Sequence, residues 1–175
     1  RILNPNARVV CVEPNPSTLE MLKHNVGFFD INVVHAALAP TDRVSIFARP
    51  GDNSTANSVS FDGDGNVRGM TLQQLVREFE IDPEDSFLKV DCEGGEHQII
   101  ESEEATELLL EFPRMSMELH YAGAGAKWAH PLDQVVAEKW VEYIRAEVKK
   151  RGGWSDYGVK KRLAMFEYSL FGPNG

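Results

Sequence analysis

The segment from Arg8 to Glu13, RVVCVE, is β-branched and almost continuously apolar, and Pro14 ends it. A strand that is apolar at successive positions hides both of its faces, as parallel strands inside an α/β layer do. Asn15-Pro16-Ser17 then supplies a helix start, and Leu19, Leu22 and Val26 recur at spacings of three and four before a stop near Gly27. Strand followed by helix is therefore the unit from which this chain is built.

The same alternation continues. Ile31 to Ala37 reads as the next strand, and Arg43 to Ala48 alternates polar and apolar residues, as a strand with one wet face does. Residues 50–69 are rich in Asn, Asp, Gly and Ser and read as a long loop, a candidate lid. Thr71 is placed to cap a helix running to about Glu80, and Asp82 to Asp85 makes a turn. Ser86 to Asp91 is a third buried strand, stopped by Gly94-Gly95, with helical pieces from Glu96 to Glu103 and around Leu108 to Leu110. Arg114 to His120 forms a fourth strand, Pro131 to Arg151 a helix, and Trp154 to Gly158 with Leu163 to Phe171 a closing hairpin. The expected fold class is α/β: a mostly parallel sheet with right-handed crossovers, helices on both faces and a C-terminal antiparallel hairpin. No linker divides the 175 residues, so a single domain over 1–175 is expected.

Composition narrows the partners. Twenty-seven acidic against eighteen basic side chains give a net charge of −9, a poor footprint for nucleic acid and an unfavourable one for a strongly anionic substrate. No apolar run reaches the length of a membrane span. The two cysteines, Cys11 and Cys92, lie within apolar segments and read as buried thiols, which fits a reducing cytoplasm better than a disulfide framework.

In α/β sheets, ligands bind beyond the carboxyl ends of the strands. The residues to weigh are thus Glu13, His35 to Leu38, Asp91 to Glu96, and Glu118 to His120. Glu13 stands where such sheets carry an acid that accepts hydrogen bonds from ribose hydroxyls, although an acidic strand end by itself is more often a surface turn. The usual Gly-rich partner turn is not among the residues ahead of it. The stretch KVDCEGGE, Lys89 to Glu96, sets three carboxylates on a strand-to-helix turn. They suit helix capping by Glu93 and Glu96, or a polar pocket for ligand hydroxyls or a divalent cation. Glu118 and His120 are two apart on a strand and share a face, so a carboxylate is placed to orient an imidazole for general-base work. A polar strand end without a catalytic role fits the same two residues.

Other motifs fail. The sequence DGDGN at 62–66 begins like a calcium loop but has Gln73 where the bidentate Glu belongs. No P-loop and no G-x-S-x-G elbow is present, and Cys92, His97 and His120 lack zinc spacing. Met115 and Met117 read as packing residues.

Taken in order, VVCVEPNPSTLEMLKHNV, HAAL, MTLQQLV, FLKVDCEGGEHQII and MSMELH resemble the FkbM-type methyltransferases, from about Ala7 to His120. The resemblance implies a Rossmann-like class I sheet and an S-adenosylmethionine-dependent enzyme, usually an O-methyltransferase acting on sugars or natural-product-type small molecules. It implies that Glu13, with Pro14 and Asn15, binds the cofactor ribose and that Ala36, Ala37 and Leu38 lie near adenine. The resemblance also implies that Asp91 and its neighbours line the acceptor side, and that the family's first strand and glycine-containing loop precede Arg1. For the chemistry itself we expect His120 as general base oriented by Glu118, with Asp91 as the alternative base. Asp91, Glu93 and Glu96 would position the acceptor or a divalent cation. Two other readings stay open: a different nucleotide-binding enzyme of this architecture, such as a dehydrogenase, and a non-catalytic binding or assembly module.

Overall fold

A computed structural model describes residues 6–48, 57–61, 63–92, 95–120, 134–151, 155–162 and 165–171. The chain divides into two compact units, Arg1–Met70 and Thr71–Gly175.

In the first unit, β1 (Val9–Val12) leads into α1 (Pro16–Val26), then β2 (Ile31–Val34), β3 (Ala36–Leu38), β4 (Arg43–Ala48), β5 (Asn57–Ser60) and β6 (Val67–Met70). Pro16 occupies the first turn of α1, where its missing N–H is no loss, and Asn15 caps the helix. Leu19 is the buried residue of α1. The apolar run read as one strand over 31–37 is two strands that change partners at His35. β2 pairs in parallel with β1, whereas β3 pairs in parallel with β6. A continuous apolar stretch looks the same whichever neighbour it binds, so the exchange leaves no mark on the pattern.

Residues 57–60 and 67–69, expected to belong to a loop, form β5 and, with Met70, β6. β6 is interior to a four-stranded sheet of order β3-β6-β4-β5. Its buried Val67 joins Ala37, Ala39 and Val44 in a small core, flanked by Ile46 and Phe61. Gly69 is required there: a Cβ would lie 1.8 Å from the Thr41 carbonyl oxygen, against a normal contact of about 3.4 Å or more. The expected lid therefore loses two of its parts to a sheet; residues 49–56 and Asp62 lie outside the described residues.

The second unit runs α2 (Leu72–Glu78), β7 (Phe87–Val90), α3 (His97–Ile100), α4 (Glu103–Leu109), β8 (Arg114–His120), α5 (Gln134–Lys150), β9 (Ser155–Arg162) and β10 (Met165–Phe171). Thr71 and Gln74 form a reciprocal capping box at the start of α2. The sheet order is β7-β8-β10-β9, with β7 parallel to β8 and the other two pairs antiparallel. The closing hairpin is thus present, and it adds its second strand to β8. Being at the edge, β7 is less buried than its sequence suggests: Phe87 is 56% exposed, while Val90 is buried.

Along β8, Met115, Met117 and Leu119 are buried and alternate with the half-buried Ser116 and Glu118. The three apolar residues line a small apolar cavity with Trp140, Val141 and Ile144 of α5, so both methionines serve packing. One hydroxyl ties three helical elements together. Thr106 Oγ1 donates to the Ile99 carbonyl at 2.8 Å and accepts from Trp140 Nε1 at 3.1 Å. The architecture is mixed α/β with parallel strand pairs. Among the described residues its strands are shared among three sheets rather than gathered into one mostly parallel sheet.

Candidate functional site

The acidic end of β1 is organised almost entirely by its own neighbours. The Glu13 N–H donates to the Val34 carbonyl at 3.0 Å, which extends the parallel ladder by one residue beyond the Val12–Val34 pair. The Glu13 carboxylate turns back on the chain, and its Oε1 accepts the Asn15 N–H at 2.7 Å. Asn15 Oδ1 in turn accepts the N–H groups of Ser17 and Thr18 at 2.8 and 3.3 Å. Pro14 has no N–H, and its carbonyl accepts a hydrogen bond from His35 Nε2 at 3.1 Å. Because a carbonyl only accepts, that ring nitrogen carries the proton. Glu13 Oε2 has no hydrogen bond within the described residues, and the residue is half-buried. A carboxylate held by one oxygen and open at the other suits recognition of a neutral diol such as a ribose.

Ala36, Ala37 and Leu38 form β3 itself, not a turn. Ala36 and Ala37 are 0% and 3% exposed, so their methyl groups belong to the interior. Only Leu38 of the three keeps part of its side chain at the surface.

The acidic turn after β7 is built differently. Asp91 is exposed and pairs with Lys89 Nζ at 2.9 Å. A short turn follows, in which the Gly95 N–H donates to the Cys92 carbonyl at 3.1 Å. Glu93 and Gly94 lie outside the described residues. Glu96 was expected to cap the next helix or to meet a ligand. It stands at the N-cap position of α3 but makes no side-chain capping bond. Its backbone is already helical, whereas a capping residue reaches its helix from an extended conformation. The side chain is instead wholly buried, and its Oε2 accepts the Cys92 thiol at 3.4 Å. A buried carboxylate needs such partners, because without them desolvation is prohibitive. Burial, and then the charge of Glu96, push the Cys92 thiol well above the ordinary range. Next to it, buried Gln98 accepts the Leu72 N–H at 3.3 Å and so joins α3 to the start of α2.

The two strands that carry the remaining candidates are parallel neighbours. Val90 is opposite Met117, so Asp91 and Glu118 are each the next residue along. Glu118 is half-buried, and His120 ends β8 opposite Met165 of β10. The His120 side chain lies outside the described residues. Among the described residues no group of three or more His, Cys, Asp and Glu side chains is placed to hold a metal ion, and no helix is long and apolar enough to cross a membrane.

Two contacts were missed by sequence reasoning. His35 was weighed only as part of a strand end, yet among the described residues it supplies the one side-chain hydrogen bond that reaches the Glu13 turn from far along the sequence. The signal was available in the register, since His35 follows Val34 as Glu13 follows Val12. The inward turn of Glu96 towards Cys92 had no such signal.

Compared with curated proteins and with solved structures, the chain has no match. The profile of the Methyltransferase FkbM domain, however, matches residues 1–152, which include the Glu13 turn, the acidic turn after β7 and the whole of β8. By that match over most of its length, the chain belongs to the FkbM methyltransferase family.

Proposed function

We propose that this methyltransferase uses S-adenosylmethionine to methylate a hydroxyl group on a sugar or natural-product-type small molecule. The observation that carries the reading is the Glu13 carboxylate, fixed through Oε1 to the Asn15 N–H and without a hydrogen bond at Oε2 among the described residues, in a chain of this family. When bound, the donor supplies an electrophilic methyl group on a sulfonium centre.

The rest falls to the protein. Glu13 accepts hydrogen bonds from the ribose hydroxyls, and the segment Ala36 to Leu38 serves the adenine through its backbone and Leu38. On the acceptor side, His120 removes the hydroxyl proton, Glu118 orients the imidazole, and Asp91 positions the acceptor. Glu93 stays assigned to the acceptor through the family resemblance. Glu96, being wholly buried, is assigned to supporting the turn rather than to touching the acceptor or a cation.

Calorimetric titration with S-adenosylmethionine tests the reading, run on the product of the whole reading frame. Saturable binding that is lost in Glu13→Ala is the expected result. No binding to the wild-type protein sinks the proposal. For the acceptor side, His120→Ala is expected to abolish turnover while leaving donor binding intact, and turnover that persists in this variant removes His120 from the reaction.

A further inference from the structure

The Glu13 turn contains few backbone groups that could relax. The Asn15 N–H is held by Glu13, the Ser17 and Thr18 N–H groups by Asn15, and the Glu13 N–H by Val34. Pro14 brings a fixed φ and no N–H, so its carbonyl is its only polar backbone group. That carbonyl is taken by His35, across 21 residues of sequence. All other side-chain bonds in the turn span two or three residues. They fix the turn internally but do not fix it against β2.

We infer that His35 is a positioning residue for the donor site: by donating Nε2–H to the Pro14 carbonyl, it sets the direction in which Oε2 of Glu13 is presented. The inference rests on the reading of Glu13 as the ribose acceptor. His35 acts through Glu13 and does not itself touch the donor. It restrains the peptide next to Glu13, so its loss lets the carboxylate swing about the end of β1. The ladder bond from Glu13 N–H to Val34 remains and acts as the hinge.

A glutamine replaces this function closely. Its amide nitrogen is the same number of bonds from Cα as the histidine Nε2, and it is a donor. Three variants therefore separate the possibilities in titrations with S-adenosylmethionine and S-adenosylhomocysteine, with thermal unfolding of each unliganded protein recorded alongside. His35→Ala is expected to weaken both ligands about three- to tenfold, the effect of one net hydrogen bond on a dissociation constant. His35→Gln is expected to recover most of that loss, and Glu13→Ala to lose binding. If His35→Ala binds like wild type while Glu13→Ala does not, the positioning role is overturned and the donor site stands. If His35→Gln is as weak as His35→Ala, the hydrogen bond is not what His35 contributes, and the inference is again overturned. Wild-type affinity in Glu13→Ala overturns the ribose reading and the positioning role together.

Discussion

Two strands of this protein end in the same way in sequence, with an apolar run, an acidic residue and a helix, and the two turns they form are opposites. After β1, the carboxylate of Glu13 stays near the surface and is steadied by the backbone two residues on. After β7, the acidic residues separate into layers. Asp91 is exposed and salt-bridged to Lys89, whereas Glu96 is buried against Cys92. The helices explain the difference. α1 has 11 residues and a true N-cap in Asn15, so its first N–H groups are satisfied and Glu13 is left over for other work. α3 has four residues and no side-chain cap, so the turn before it draws its support from a carboxylate placed underneath. In this chain Asn15 caps α1, so the Glu13 carboxylate has no capping duty of its own.

That contrast is broken most directly at Glu96. Glu96→Ala leaves a hole and takes away the acceptor of the Cys92 thiol, so we expect a loss of about 2–4 kcal/mol, read as a lower denaturation midpoint. A loss comparable to that of a surface substitution removes the claim that Glu96 supports the turn. The cysteines give a second reading of the same layer. Burial raises the thiol of Cys11, and burial with Glu96 raises that of Cys92 much further. Alkylation of the folded protein is thus expected to reach Cys92 after Cys11 and to need higher pH. The sign for stability follows. The folded state holds the Cys92 proton more tightly than the unfolded one, so this contribution is complete below the ordinary thiol range and is lost as pH rises through the raised value. Equal labelling rates for the two thiols in mildly alkaline buffer contradict the arrangement.

On the other side of the comparison, Asn15→Ala removes the cap of α1 and is expected to cost about 1 kcal/mol in chemical denaturation. It also frees two N–H groups beside Glu13, so a fall in donor affinity beyond that of a stability-matched control sharpens the case that the cap keeps Glu13 available. The smallest effect is expected from Lys89→Ala. Its partner Asp91 is accessible to water, and removing such an exposed pair changes stability by no more than about 0.5 kcal/mol. A larger loss places Asp91 in the supporting layer with Glu96.

The sequence disclosed those parts of the fold whose causes are local. Asn15-Pro16-Ser17 announces α1, Thr71 announces α2, and the alternation from Met115 to Leu119 announces a strand with one buried face. What it hid depends on partners far along the chain. Val67 and Met70 are buried because β3 and β4 lie on either side of β6, yet VRGM carries no period of its own. The partner change at His35 and the inward turn of Glu96 are hidden for the same reason. Glu13 could be picked out as a candidate from its place at a strand end. That one of its oxygens is committed to Asn15 and the other is not required the folded turn.

The hydroxyl of Thr106 has one proton, and this fixes the sense of every bond around it. The Ile99 carbonyl cannot give a proton and the Trp140 indole cannot take one, so the hydroxyl must point its hydrogen towards α3 and its lone pair towards α5. The arrangement has no mirror version in which the directions are reversed. A valine of the same shape would fill the space without loss of packing, yet it would orphan a carbonyl on one helix and an N–H on another. Thr106 thus acts through its chemistry as well as its volume in holding α3, α4 and α5 together.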